Sequence, residues 1–188
     1  PQGAGTDFNT SFGSAIASQS GLSGYPAGTV NRHQFTMTQG GGTAMSRGDW
    51  GSASSQLLSQ PSPVNVGLQA SIDMATNTLT VDVEVYYTGS QTTGGQSPLS
   101  NKLNIAVVQN NVEGPQASGS TNPSAMLPNG NYNHQHMLRY MMTGNWGETI
   151  SNITISSFYS NTYTWTMPAD INGVALDPTN LGVIAFVA

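Results

Sequence analysis

Cysteine is missing from the 188-residue chain, which excludes disulfides, thiolate metal sites and thiol chemistry within it. Charge is nearly as scarce. Acidic and basic residues make up 7% of the sequence, against about 25% in ordinary soluble domains. Arg32, Arg47, Lys102 and Arg139 are the only lysines and arginines, and the net charge is −5. With no basic patch to neutralise phosphates, nucleic acid and anionic lipid surfaces are excluded as partners. Long apolar runs are lacking too: none approaches the ~18 residues of a helical membrane span. No secretory leader is read at Pro1. The last residues, Val183-Ile184-Ala185-Phe186-Val187-Ala188, are apolar to the end. Both ends are therefore expected to continue into a longer chain.

Neutral polarity is what the chain has in quantity. Ser, Thr, Asn and Gln supply 71 residues and Gly another 22, so hydroxyls and amides do the solvating. That composition is typical of secreted and cell-surface β proteins. The length suits one large domain or a domain with a smaller appendage.

Two periodicities divide the chain. Over residues 1–60 apolar residues recur near every four positions. Phe8, Phe12 and Ile16 define a helix capped by Thr6 or Asp7, and residues 21–24 end it. Tyr25-Pro26-Ala27-Gly28 reads as a turn, residues 29–35 as a short strand and Gly40-Gly41-Gly42 as a break. A second helix is predicted over residues 49–59, with Asp49 as its cap and Trp50, Ala53 and Leu57 on one face. Pro61 and Pro63 mark a boundary. From Val64 onward the period becomes two. Val64, Val66, Leu68, Ala70, Ile72 and Met74, then Leu79, Val81, Val83, Val85 and Tyr87, alternate with polar residues on either side of Ala75-Thr76-Asn77, which predicts a β-hairpin.

A polar loop over residues 89–101 precedes a strand through Leu103, Ile105 and Val107. A long Pro/Gly/Ser/Asn loop over residues 113–130 follows, and loops of that length are usually functional or disordered. Strands are predicted over residues 132–142, 150–156, 162–167 and 181–187, with Asn172-Gly173 as a turn. The fold class is mainly β: an antiparallel β-sandwich over residues 64–188, preceded by a small α/β segment over residues 1–60.

The stretch over residues 131–148 gathers two of the three histidines, one of the four basic residues and one of the three tryptophans. On a continuous strand His134 and His136 share a face, making half of a zinc or copper site that Glu148 or His33 could complete. The plainer reading makes both imidazoles hydrogen-bonded packing residues. Arg139, on the other face, is expected to find a carboxylate, Glu148 or Asp82, or to anchor a carboxylate ligand. Asp82 and Glu84 alternate on a wet strand face. Arg47-Gly48-Asp49 is explained by helix capping. Tyr159, Tyr163 and Trp165 are strand or core aromatics, or a glycan-stacking platform. No nucleophile elbow, calcium loop or other catalytic constellation is read, and no cofactor is implied.

His134-Gln135-His136-Met137-Leu138-Arg139 with Thr143-Gly144-Asn145-Trp146-Gly147-Glu148 resembles the His-x-His-x-Leu-Arg … Gly-x-Trp-Gly-Glu signature of the outer membrane protein 28-related family of Bacteroidetes. Tyr25-Pro26-Ala27-Gly28-Thr29-Val30-Asn31-Arg32 is similar to that family's Tyr-Pro-x-Gly-x-x-Asn-Arg segment, and the terminal Val-Ile-Ala-Phe-Val matches as well. The resemblance implies a thioredoxin-like part followed by a β-sandwich. Residues 1–60 would match only the second half of a thioredoxin fold, and a cis Tyr25–Pro26 bond is implied. Pro26, Arg139, Trp146 and Glu148 become structural signature residues. Nothing matches the redox cysteines.

The resulting expectation is a non-catalytic protein of the outer membrane surface or extracellular space. It would act by association with other protein chains, copies of itself included, with the incomplete N-terminal segment offering an open edge. The alternatives are a peptide-, glycan- or metal-binding module and a remnant of a thioredoxin-like oxidoreductase.

Overall fold

The computed structural model describes residues 7–91, 98–117 and 119–188. Thr6, one of the two expected helix caps, lies outside them, as do six residues of the polar loop over residues 89–101 and one of the loop over residues 113–130. The first helix, α1 (Ser11–Ser20), starts later than expected. Its cap is Thr10, whose hydroxyl accepts a hydrogen bond from the Gly13 amide at 3.0 Å, and Gly21 closes it in the left-handed conformation. Phe8 stays out of the helix because it is used elsewhere. It is buried with Val112 and Val174, and it presses so closely on Gly114 that a Cβ there would lie 2.1 Å from the ring.

Two two-residue strands follow, β1 (Ala27–Gly28) and β2 (Met45–Ser46), paired antiparallel. The Tyr25–Pro26 bond before them is cis, as the family resemblance implied. The strand expected over residues 29–35 does not form, because Asn31 and Arg32 take left-handed backbone at φ 52° and 50°, which interrupts an extended chain. Helix α2 (Trp50–Leu58) is present with Ala53 buried. A single 3-10 turn, Arg47–Asp49, precedes it, and Asp49 makes no capping bond. Phe35, Met45 and Ala53 form a small core with Val30, Met37 and Leu57.

The alternation from Val64 gives the predicted hairpin. Strands β3 (Val64–Asp73) and β4 (Thr78–Tyr87) pair in unbroken register, and the turn is fixed by Asp73, whose carboxylate accepts from Ala75 N and Thr76 Oγ1. Next come β5 (Asn101–Gln109), β6 (Val112–Gly114), β7 (Tyr132–His134), β8 (Met137–Met141) and β9 (Glu148–Ile150). The last strands are β10 (Phe158–Thr166), the short hairpin β11 (Asp170–Ile171) and β12 (Val174–Ala175), and β13 (Leu181–Val187). The strand predicted over residues 132–142 is thus two strands, broken where His136 sits at φ 53°. Only Ile150 of the strand predicted over residues 150–156 is extended in a ladder.

Two antiparallel sheets stack face to face. One has the order β10-β4-β3. The other has the order β13-β5-β8, with β9 also paired to β5. Because β13 occupies one edge of β5, β8 and β9 share the other, joined by the turn over residues 142–147. Leu79, Val81, Val83 and Val85 of β4 meet Leu103, Ile105 and Val107 of β5 in the main core. Strand β5 is buried on its other face as well, at Asn104, Ala106 and Val108, so it runs apolar without the half-wet alternation of β4.

Two glycines in the joining turn separate conformational need from packing need. Gly144 and Gly147 both have left-handed backbone, φ 72° and 77°, but a Cβ at Gly144 meets open space, whereas one at Gly147 would lie 2.6 Å from Leu103 O and 2.9 Å from Asn104 Nδ2. Gly144→Ala should therefore cost about 1 kcal/mol, the backbone penalty alone. Gly147→Ala should cost on the order of 3 kcal/mol, as the turn must also move off β5. Urea unfolding of the two variants checks the ordering; equal losses would refute the close packing of this turn on Asn104.

Candidate functional site

The signature stretch folds into three separate tasks. His134, at the end of β7, is buried between the rings of Phe8 and Tyr132, with centroids 5.1 and 5.0 Å away. Its Nε2 lies 3.3 Å from Pro115 O. A carbonyl can only accept, so Nε2 carries the proton there. Burial, more than any other cause, lowers the pKa of this imidazole. His136 is exposed, and its amide donates to Asn110 Oδ1 at 2.9 Å. The left-handed residue between β7 and β8 breaks the alternation that would place both imidazoles on one face. Among the described residues no group of three histidine, aspartate or glutamate side chains comes together as a metal site would require. The packing reading accounts for His134.

Arg139 departs from expectation in another way. The β5–β8 register slips between Val107, paired with Tyr140, and Val108, paired with Leu138. Arg139 is thus the extra residue of a β-bulge, and it is 1% exposed. Its Nη2 donates to Val174 O at 2.6 Å, not to a carboxylate of Glu148 or Asp82. Burial lowers its pKa, and the charge of nearby Asp170 partly offsets this. The guanidinium thereby holds the β11–β12 hairpin against β8. Glu148 serves the opposite sheet, accepting from Tyr159 Oη at 2.7 Å, with Tyr163 Oη a further 2.9 Å from Tyr159 Oη. Asp82 accepts from Thr162 across β4 and β10. Both tyrosine pKa values are raised, mainly by burial.

The N-terminal signature meets this region at Asn104, where Arg32 Nη1 donates to Oδ1 over a long 3.4 Å and the guanidinium lies 5.1 Å from the Phe186 ring centre. Asn104 Nδ2 donates to Lys102 O. Pro26 is exposed before β1, and Trp146 is 46% exposed in its turn. Arg139 and Glu148 thus tie neighbouring elements together, while Pro26 and Trp146 stand at the surface.

The cavity lies beside them, between the edges of β8 and β10. Thr10, Ser11 and Phe12 at the start of α1, Tyr140, Trp165, Pro168, Ile171 and Asn172 enclose a cleft of about 330 Å³. Tyr140 and Trp165 stack with centroids 4.4 Å apart and planes at 3°, and Phe12 meets Tyr140 edge-on at 5.2 Å. Asn172, at φ 54° in the β11–β12 turn, ties that hairpin to α1 by donating to Asn9 O at 2.6 Å. Of these residues sequence reading singled out Phe12, Trp165 and Asn172 for other reasons. Their convergence depends on which sheet edges face each other, and no local pattern records that.

Fold and site together define a mainly β, antiparallel two-sheet protein whose cleft is lined by uncharged groups. The chain belongs to the outer membrane protein Omp28 family, whose family model matches residues 13–188. The family places it at the outer membrane surface. No helix among the described residues is long and apolar enough to cross a membrane. No curated protein and no solved structure matches the chain.

His134 makes stability depend on pH in a defined direction. Its folded pKa lies below the ordinary value of 6.5, so as pH falls through about 6.5 the unfolded chain binds the proton first and stability declines. Asp73, Glu113 and Asp177, whose pKa values are lowered by hydrogen bonds, lose their contribution only in the carboxylate range, about pH 4 and below. Denaturant unfolding between pH 7.5 and 5.5 should show a fall in wild-type stability that His134→Phe abolishes. An unchanged slope in that variant would contradict the buried neutral imidazole.

Proposed function

We propose that this outer membrane protein works by association with other protein chains, foremost a second copy of itself, and not by catalysing a reaction. The observation that carries the reading is the free edge of β3. This strand is ten residues long and lies at the end of its sheet, paired among the described residues only with β4. Residues 64–72 carry no charge. Natural edge strands are usually protected by lysine, proline, a bulge or brevity. Strand β3 keeps a regular register with β4 throughout and uses none of these.

The apolar side of this edge is also incompletely covered. Leu68 is 42% exposed, and Ala70 and Ser71 are exposed beside it. Ala70, Ser71, Ile72, Leu79, Leu181 and Val183 line a shallow groove of about 290 Å³ where β3 and β13, the end strands of the two sheets, approach each other. An added antiparallel strand would bond to the open backbone groups and cover these side chains. Two copies of β3 suit each other because the one charged residue of each, Asp73, stands at the strand's end, so an antiparallel pair keeps the two carboxylates at opposite ends of the seam. The free edge of β3 stands in addition to the N-terminal segment, for which the sequence raises the same expectation.

Wild-type protein should gain mass with concentration in light scattering coupled to size exclusion, approaching twice the monomer mass. Leu68→Lys, a change at a side chain already exposed, should weaken that association at least about tenfold, the effect of placing like charges across the seam. A wild-type monomer at all concentrations would overturn the proposal, and so would an unaltered dimer in Leu68→Lys.

A further inference from the structure

We infer that the cleft between α1 and the β11–β12 turn is a binding site for a neutral saccharide unit. The lining carries no charged side chain, so neither an anion nor a cation would be compensated on entry, and desolvating an ion there is unfavourable. The wall is nevertheless far from greasy. Three aromatic residues, Phe12, Tyr140 and Trp165, line it together with Ser11, Thr10 and Asn172, which carry hydroxyl and amide groups. Sugars present the same pairing, with apolar C–H faces that pack on aromatic rings and hydroxyls that need short polar partners. A cleft of about 330 Å³ lies at the small end of the range for ligand pockets, which suits one or two sugar rings and not a peptide.

The wall is also held in place before any ligand arrives. Tyr140 is fixed between the Trp165 stack and the edge of Phe12, and the rim is clamped by the Asn172 to Asn9 bond. Fixing aromatic groups in advance lowers the ordering cost that otherwise weakens small polar ligands. The cleft lies on the β8/β10 side of the sandwich, opposite the free edge of β3, so this inference stands apart from the proposed association.

The test is titration of the full chain with neutral trisaccharides of glucose, galactose, mannose and N-acetylglucosamine, and with sialyllactose as a charged comparison. Tryptophan fluorescence and calorimetry would follow binding. At least one neutral sugar should bind saturably. Ser11→Leu, which fills the mouth from an exposed position, should weaken it at least about tenfold without lowering Tm. Trp165→Phe, which keeps a ring in the wall, should weaken it by less. Leu68→Lys should leave it unchanged. Absence of saturable binding by every neutral sugar would overturn the inference, as would equal affinity for sialyllactose or full affinity in Ser11→Leu.

Discussion

Strand β5 is hydrogen-bonded to β13 along one edge and to β8 and β9 along the other, is buried on both faces over residues 103–109, and carries the core of the sandwich. Leu103, Ile105 and Val107 supply the second sheet's share of the main core. On the reverse face Asn104 cannot be left without partners, because a buried unpaired amide costs about 1–3 kcal/mol. It is satisfied by the Lys102 carbonyl and by Arg32 from the N-terminal segment. The Ile105 amide donates to Thr143 Oγ1, and Lys102 exchanges two backbone bonds with Ala188. A strand in this position admits no slip of register, since one residue of slip would bring Asn104 into the sandwich core. The turn over residues 142–147 follows from the same constraint: it carries the chain from β8 to β9 along one edge of β5 while passing close over Asn104.

That constraint explains which parts of the fold were legible in the sequence. The β3–β4 hairpin was legible because each strand has one wet face, so its alternation is complete and its turn residues are ordinary. Strand β13 was legible as an apolar run that follows the polar Thr179 and Asn180. The breaks were not. A left-handed residue at His136 leaves no mark on an apolar/polar pattern, so β7 and β8 read as one strand and two histidines as one face. The same holds for Asn31 and Arg32, which end an expected strand before it starts. Arg139 was expected to find a carboxylate because its burial against a carbonyl depends on a bulge, and the bulge is set by pairing with β5, about 30 residues away in sequence. Phe8 satisfied the helical spacing and was drawn into the first helix, but tertiary packing on Gly114 outweighed that local preference.

Scarcity of charge is offset by amides. Asn110, Asn111, Asn133, Gln135 and Asn180 bond one another or nearby backbone where β5 turns into β6, and Glu113 accepts from Asn129 and Asn131 to hold the long loop close to β6. Asn122 reaches the Tyr132 hydroxyl from within that loop. These bonds are short-ranged and little screened by salt, in contrast to ion pairs between exposed side chains. They also leave the surface without the like-charge repulsion that keeps many soluble proteins apart.

The two lateral sides of the sandwich then differ for a physical reason. On the β8/β10 side, the aromatics Tyr140, Tyr159, Tyr163 and Trp165 reach across the gap between sheets, and α1 and the β11–β12 hairpin are drawn over them by Phe12, Asn172 and Arg139. Large rings need covering, and the covering elements meet imperfectly, which leaves the cleft. On the β3/β13 side the residues are small or aliphatic, Ala70, Ile72, Leu181 and Val183, and nothing from the described chain crosses the seam with a ring. A pair of sheet ends closed by small side chains loses less by staying open, so the fold is complete with that edge free. An edge of ten residues with a single charge, Asp73 at its end, is a weak point for a dissolved monomer and an advantage for a protein that associates through it. The same shortage of charge that lets neutral amides hold the loops together leaves β3 without the usual guard against strand addition.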